Sequence, residues 1–186
     1  EKIPVVTWQV VSVKDTMLGN QAIKEKKLKG IVDNAAYPSI KVEINLVVVT
    51  PANAINTVPV VLEFGYIKNF FAPGPIKAIG LGSSGEPTWQ EQLISRGWGY
   101  AIIEPNSIQA DNGAGLTAGI IGLVNKGEYR KPGQWGALRA WAWGASRAID
   151  YFETDKNIDI NRIAIEGLSR CGKAALVAMA FEPRIS

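Results

Sequence analysis

Ser169 lies in the stretch IAIEGLSRCGKAAL, residues 163–176. An apolar run precedes it and an alanine-rich run follows, with Gly167 and Gly172 on either side. The pattern reads as a strand, a tight turn and a helix. Two chemistries can use such a turn. A serine at its apex can attack a carbonyl, with the backbone N–H of Arg170 aimed at the oxyanion that develops. Alternatively, the amides of the turn can cradle a phosphate, with Lys173 beside it. A third reading is plain: Ser169 caps the helix that follows.

Both chemical motifs are incomplete. Gly167, Gly172 and Lys173 spell G-x-x-x-x-G-K, but the next residue is Ala174, where a phosphate loop needs a hydroxyl for Mg²⁺. Gly167 and Ser169 fit G-x-S-x-G, but the fifth position is Cys171 and the glycine comes one residue late. The physical demand of that motif is small residues where strand and helix approach each other. Gly167, Gly172, Ala174 and Ala175 can meet it.

The 186-residue chain contains no histidine. A serine hydroxyl is a weak nucleophile until a base takes its proton, and that base is usually histidine. A catalytic Ser169 therefore needs a base from outside these residues. The single cysteine, Cys171, excludes an internal disulfide and a thiolate metal site; it reads as a packed small side chain rather than a second nucleophile. Net charge is +3 with acids and bases interspersed, which is no nucleic-acid footprint. No apolar run approaches the roughly 20 residues of a membrane span, and no signal peptide is present. The dense cluster KEKK, residues 24–27, reads as a solvated loop or strand end.

The elements that must hold the turn follow from periodicity. Residues 7–13 predict a strand with Trp8, Val10 and Ser12 on one face. Residues 39–49 alternate, with Ile40, Val42, Ile44 and Leu46 opposite Lys41, Glu43 and Asn45, as in a half-exposed antiparallel edge region. Residues 58–64 and 99–104 are short and apolar, as in strands buried on both faces. Helices are predicted at 87–97, at 135–152 and at 170–181, with a strand at 162–166. In 135–152, Trp135, Leu138, Ala142, Ala145, Ile149 and Phe152 recur at spacings of three and four. Its tryptophans Trp135, Trp141 and Trp143 read as packing residues. The Gly/Asn-rich stretch between Glu104 and Trp135 reads as a functional loop or a disordered excursion. Glu104 reads as structural rather than as a cleft residue. The order is an antiparallel meander and then alternating β and α, an α/β fold with helices on both faces. EPRIS, 182–186, reads as the lead-in to another strand.

The longer string GQWGALRAWAWGASRAIDYFETDKNIDINRIAIEGLSRCGKAAL, 133–176, resembles the glucuronoyl esterases of carbohydrate esterase family 15. Their signature is G-x-S-R-x-G-K, matched by Gly167, Ser169, Arg170, Gly172 and Lys173. The stretch VPVVLEFGYIKN, 58–69, resembles the family more loosely. Fungal members often carry a cysteine before the serine, paired with one near the catalytic histidine; here that position is Leu168, so this disulfide is not expected.

The resemblance implies an α/β-hydrolase three-layer sandwich with a Ser–His–acid triad. Ser169 is then the nucleophile, Arg170 belongs to the oxyanion hole and Lys173 binds the sugar. The substrate is an ester of glucuronic acid in cell-wall polysaccharide, and no metal or cofactor is needed. Histidine and acid follow the serine in chain order. Residues 1–186 are therefore expected to be the N-terminal portion of a single domain, whose remainder beyond Ser186 supplies both. A secreted or periplasmic location is implied. The competing readings are another carboxylesterase or acetyl-xylan esterase on the same fold, a nucleotide binder using Gly167 to Lys173, and a saccharide-binding remnant without turnover.

Overall fold

The computed structural model describes residues 3–67 and 86–186. Six strands form one mixed sheet: β1 (Val6–Leu18), β2 (Gln21–Val32), β3 (Glu43–Pro51), β4 (Val58–Phe64), β5 (Gly99–Ile103) and β6 (Ile158–Glu166). Their spatial order is β1-β2-β3-β5-β4-β6. The first three are antiparallel neighbours, and β5 runs antiparallel to β3. From β5 onward the pairing is parallel, β5 with β4 and β4 with β6. Ile185 adds a parallel bridge to Ile163, and the Ser186 N–H donates to the Ile163 carbonyl at 2.9 Å. The expected lead-in at 182–186 thus runs alongside β6.

Helices cover both faces. On one side α1 (Trp89–Ser95) packs through Ile94 over Ile23, Val47, Val49, Tyr100 and Ile102. It starts at Thr88, which exchanges hydrogen bonds with Glu91 in a capping box, and it ends before Gly97 at φ +76°. On the other side lie α4 (Ala137–Phe152) and α5 (Arg170–Phe181). The apolar stripe of α4 places Ala142, Ala145, Ile149 and Phe152 in the main core against Ile44, Leu46, Val60, Leu62 and Ile103. Fully burying side chains such as Ile149 and Phe152 stabilises by roughly 1.5–3 kcal/mol each. The small residues Ala174, Ala175 and Ala178 of α5 are buried in that core and let the two helices approach.

Four sequence expectations are corrected. KEKK is neither loop nor strand end but the middle of β2, where Glu25 and Lys27 are buried. Lys26 reaches Asp155 at 2.6 Å, and the Tyr151 hydroxyl donates to the same carboxylate at 3.0 Å. Alternating charges hid a strand whose polar side chains are satisfied by partners rather than by water. Second, β3 is an interior strand paired on both sides; its polar positions Glu43 and Asn45 bind Lys29 and Glu104. Third, a register shift between Val10 and Ser12 puts Ser12, paired with Lys27, on the face opposite Trp8 and Val10; Val10 is exposed, while Trp8 packs on the core and donates from Nε1 to the Arg147 carbonyl at 3.0 Å. Fourth, the stretch after Glu104 contradicts the second of its two readings, the disordered excursion. It forms α2 (Pro105–Ile108), a 3₁₀ turn (Gly113–Thr117) and α3 (Gly119–Val124), with Ile108, Ile120, Ile121 and Leu123 buried.

The Lys26–Asp155 pair ties the first hairpin to the turn between α4 and β6. Its side chains are only 14% and 4% exposed. Asp155→Ala is expected to cost about 3 kcal/mol, since it strands a buried ammonium and a buried phenol. Urea unfolding measures this; a loss below about 1 kcal/mol would show that solvent replaces the carboxylate.

Candidate active site

The turn between β6 and α5 contains only Gly167, Leu168 and Ser169. Ser169 has φ +55° and ψ −113°, a conformation that favours glycine. A non-glycine residue held there stores about 1–3 kcal/mol of backbone strain. The neighbours explain how it is held. A Cβ on Gly167 would lie 2.5 Å from the Cys171 carbonyl carbon, and one on Gly172 would lie 2.7 Å from the Gly167 oxygen. The two glycines therefore let the end of β6 press directly on the first turn of α5. The Cys171 N–H donates to the Leu168 carbonyl at 3.0 Å, and the Lys173 N–H to that of Ser169 at 3.1 Å.

This geometry separates the readings left open by sequence. Ser169 precedes the helix but makes no capping hydrogen bond, so the plain-cap reading fails. Only three residues separate β6 from α5, with Gly167 and Gly172 in contact at its first turn, and Ala174 stands where a phosphate loop needs its Mg²⁺-binding hydroxyl. What remains is an exposed serine on a strained apex at the start of a 12-residue helix. The first amides of a helix have no partner within it. The N–H of Arg170 is one of these, and it can meet negative charge growing on an acyl oxygen.

The three residues singled out by sequence lie together but point to different work. Lys173 is exposed one helical turn beyond Ser169. The Arg170 guanidinium is held by Asp111, with Nε 2.5 Å from Oδ2. Sequence reasoning missed Asp111 and the residue that places it, Gln109. Gln109 is 1% exposed. Its Nε2 donates to the Gly115 carbonyl at 2.6 Å, its Oε1 accepts from the Ile121 N–H at 3.0 Å, and its carbonyl accepts from Trp141 Nε1 at 2.8 Å. No local pattern signals a glutamine whose partners lie along three other segments. Glu104 is structural, as expected: it accepts from Asn45 Nδ2 at 2.8 Å. Trp141 and Trp143 are buried core residues, while Trp135 is half-buried.

Beneath the turn, Glu63 and Glu166 are register partners at the ends of β4 and β6. Burial, and then the charge of Glu166, push the Glu63 carboxyl up to about 7. Burial also raises Glu166. The Cys171 thiol is raised by burial and by the Glu63 and Asp111 carboxylates, which keeps it protonated and inert.

A mixed sheet between helical layers, with a strained serine where a parallel strand turns into a helix, is the α/β-hydrolase fold. The sequence goes further. A family model for fungal glucuronyl esterase matches residues 127–186. "Carbohydrate esterase MZ0003" from an unknown prokaryotic organism is 42% identical over 101 residues, 53% of this chain and 23% of the relative. "4-O-methyl-glucuronoyl methylesterase 1" of Wolfiporia cocos is 54% identical over 52 residues, 27% of this chain and 13% of the relative. The solved carbohydrate esterase family 15 glucuronoyl esterase of Teredinibacter turnerae T7901 superposes with a TM-score of 0.81 at 35% identity, covering 98% of this chain and 44% of that one. Over these stretches the chain is similar to glucuronoyl esterases of carbohydrate esterase family 15. It spans less than a quarter of these two curated relatives and less than half of the solved one. Of the loosely similar stretch 58–69, Lys68 and Asn69 lie outside the described residues.

Two outcomes test the site's physics without any substrate. Ser169→Gly is expected to be more stable than Ser169→Ala by about 1 kcal/mol, because only glycine relaxes the positive φ. Equal melting temperatures would mean that the turn carries no strain. Glu63 has a folded pKa of about 7 against an ordinary 4.5. The unfolded chain therefore loses this proton first as pH rises, and stability falls between those two values and stays lower above them. Glu63→Gln removes that loss, so its gain over the parent is expected to be about 1 kcal/mol larger at pH 8 than at pH 4, partial solvent access screening the rest. A gain independent of pH would place the proton elsewhere.

Proposed function

We propose that this chain carries the nucleophile of a serine esterase acting on esters of glucuronic acid. The observation that carries the reading is Ser169 itself: exposed, strained, free of any capping role, and followed by Arg170 and Lys173. Ser169 Oγ attacks the ester carbonyl while a base takes its proton. The tetrahedral oxyanion is met by the Arg170 N–H, with the guanidinium pinned nearby by Asp111. Collapse expels the alcohol, which receives the proton from the base. Water then attacks the acyl-enzyme and releases free glucuronate. Lys173, one turn from the serine, is placed to bind sugar hydroxyls.

The base and its acid come from residues beyond Ser186 in this proposal, because the chain has no histidine. Residues 1–186 are then the first part of one α/β-hydrolase domain. Two facts support this: Ile185 already pairs with Ile163 in parallel, and the chain covers 44% of the Teredinibacter esterase. Action on plant or algal cell-wall polysaccharide places the enzyme outside the cytoplasm, secreted or periplasmic.

The test uses the full-length protein and two simple substrates, a benzyl ester of glucuronic acid and an aryl acetate. Turnover of the uronate ester with Ser169→Ala about 10⁴-fold slower is expected. Lys173→Ala is expected to reduce kcat/KM for the uronate ester at least tenfold more than for the acetate. Undiminished hydrolysis by Ser169→Ala would remove the serine from the mechanism. A preference for the acetate would favour an acetyl esterase on the same fold.

A further inference from the structure

A cleft of about 1030 Å³ opens beside Arg170, and Lys173 is not among its lining residues. Arg130, Arg139 and Arg170 line it, against a single acid, Asp111. That acid is already engaged by Arg170. Trp135, Phe181 and Val177 supply apolar wall.

Arg139 is the unusual member. Its guanidinium carbon lies 4.9 Å from the Trp135 ring centroid and 4.3 Å from that of Phe181. Both rings thus engage the flat guanidinium. Its N–H donors lie in the guanidinium plane and form a fork that matches a carboxylate. Among the described residues no ion pair involves Arg139 or its cleft neighbour Arg130, whereas Arg147, Arg162, Arg170 and Arg184 are all paired with carboxylates. Burial lowers its pKa without any opposing charge. A cation set by two rings into a largely apolar cleft, without a counter-ion, lacks one partner, and the cleft has room for it.

The reacting group is not that partner. An esterified glucuronic acid is neutral, so a cluster of arginines gains nothing from it before hydrolysis. We infer that the cleft is a second subsite, in which Arg139 holds the free carboxylate of a neighbouring, unesterified uronic acid on the same glycan. This deepens the esterase reading and rests on it for the identity of the glycan. Arg170 sits where the two sites meet: its backbone faces the acyl group and its side chain lines the cleft. The enzyme would then favour esters embedded in an acidic chain over isolated ones.

The experiment is a calorimetric titration of the full-length protein carrying Ser169→Ala, so that nothing turns over. The probes are a xylo-oligosaccharide bearing free glucuronate groups and the same oligosaccharide without them. The acidic probe is expected to bind at least tenfold more tightly, with an affinity that falls as salt rises. Arg139→Gln is expected to abolish most of that difference. Arg139→Lys keeps the charge and stem and controls for folding; it is expected to restore only part of it, since an ammonium lacks the fork. Equal affinity for the two probes overturns the proposal, as does acidic-probe binding untouched by Arg139→Gln. A full-length crystal structure with one of the protein's own carboxylates on the Arg139 fork also overturns it. Because binding is read without turnover, acidic-probe binding by a protein that hydrolyses no ester would sink the esterase reading and leave the subsite standing.

Discussion

The backbone contact between the end of β6 and the first turn of α5 governs the rest of the molecule. Gly167 and Gly172 are the residues that permit it, because a side chain on either would strike main-chain atoms that have no freedom to move. Pressed together in this way, strand and helix leave Ser169 at the apex with no relaxed conformation. The sheet behind the turn must then be rigid. The parallel pairing of β6 with β4, and of β4 with β5, supplies that rigidity, and the alanines of α5 seat the helix on the same core.

The segment after β5 serves the same turn. Gln109 fastens the segment after β5 to the 3₁₀ turn, to α3 and to α4, and two residues later Asp111 reaches the Arg170 side chain. A short run of chain is thus held from three directions so that one carboxylate can hold one guanidinium. Without the Gln109 side chain the Ile121 N–H would lose its buried partner, a cost of about 1–3 kcal/mol.

Much of this architecture is written in local pattern. The apolar runs at 58–64 and 99–104 have the composition of strands buried on both sides, and β4 and β5 occupy them. The three-and-four spacing through Leu138, Ala142, Ala145, Ile149 and Phe152 specifies α4 within two residues. The glycines flanking Ser169 signal a tight approach from sequence alone. What escaped local reading depends on distant partners. In β2, Lys26 is satisfied by Asp155, far along the chain, and a charge cluster read alone looks solvated. Residues 105–124 are too short and too glycine-rich for any one turn to show a period, yet Ile108 and Ile120 bury completely once the neighbours are in place. Asp111 and Gln109 carry no motif at all. The strain at Ser169 was equally invisible, since serine at that position also fits an ordinary cap.

The irregularity between Val10 and Ser12 has a meaning beyond the packing of Trp8. Strand β1 is 13 residues long and forms one border of the sheet. It exposes Val10, Val11, Val13 and Met17, an apolar border of the kind on which foreign strands accrete. The extra residue in its middle breaks the even ladder that an incoming strand would have to copy, and Lys14 and Asp15 follow directly. A template for uncontrolled growth is thereby divided into two shorter segments of different register. The same distortion that carries Ser12 to the opposite face makes this border a poorer seed for fibres.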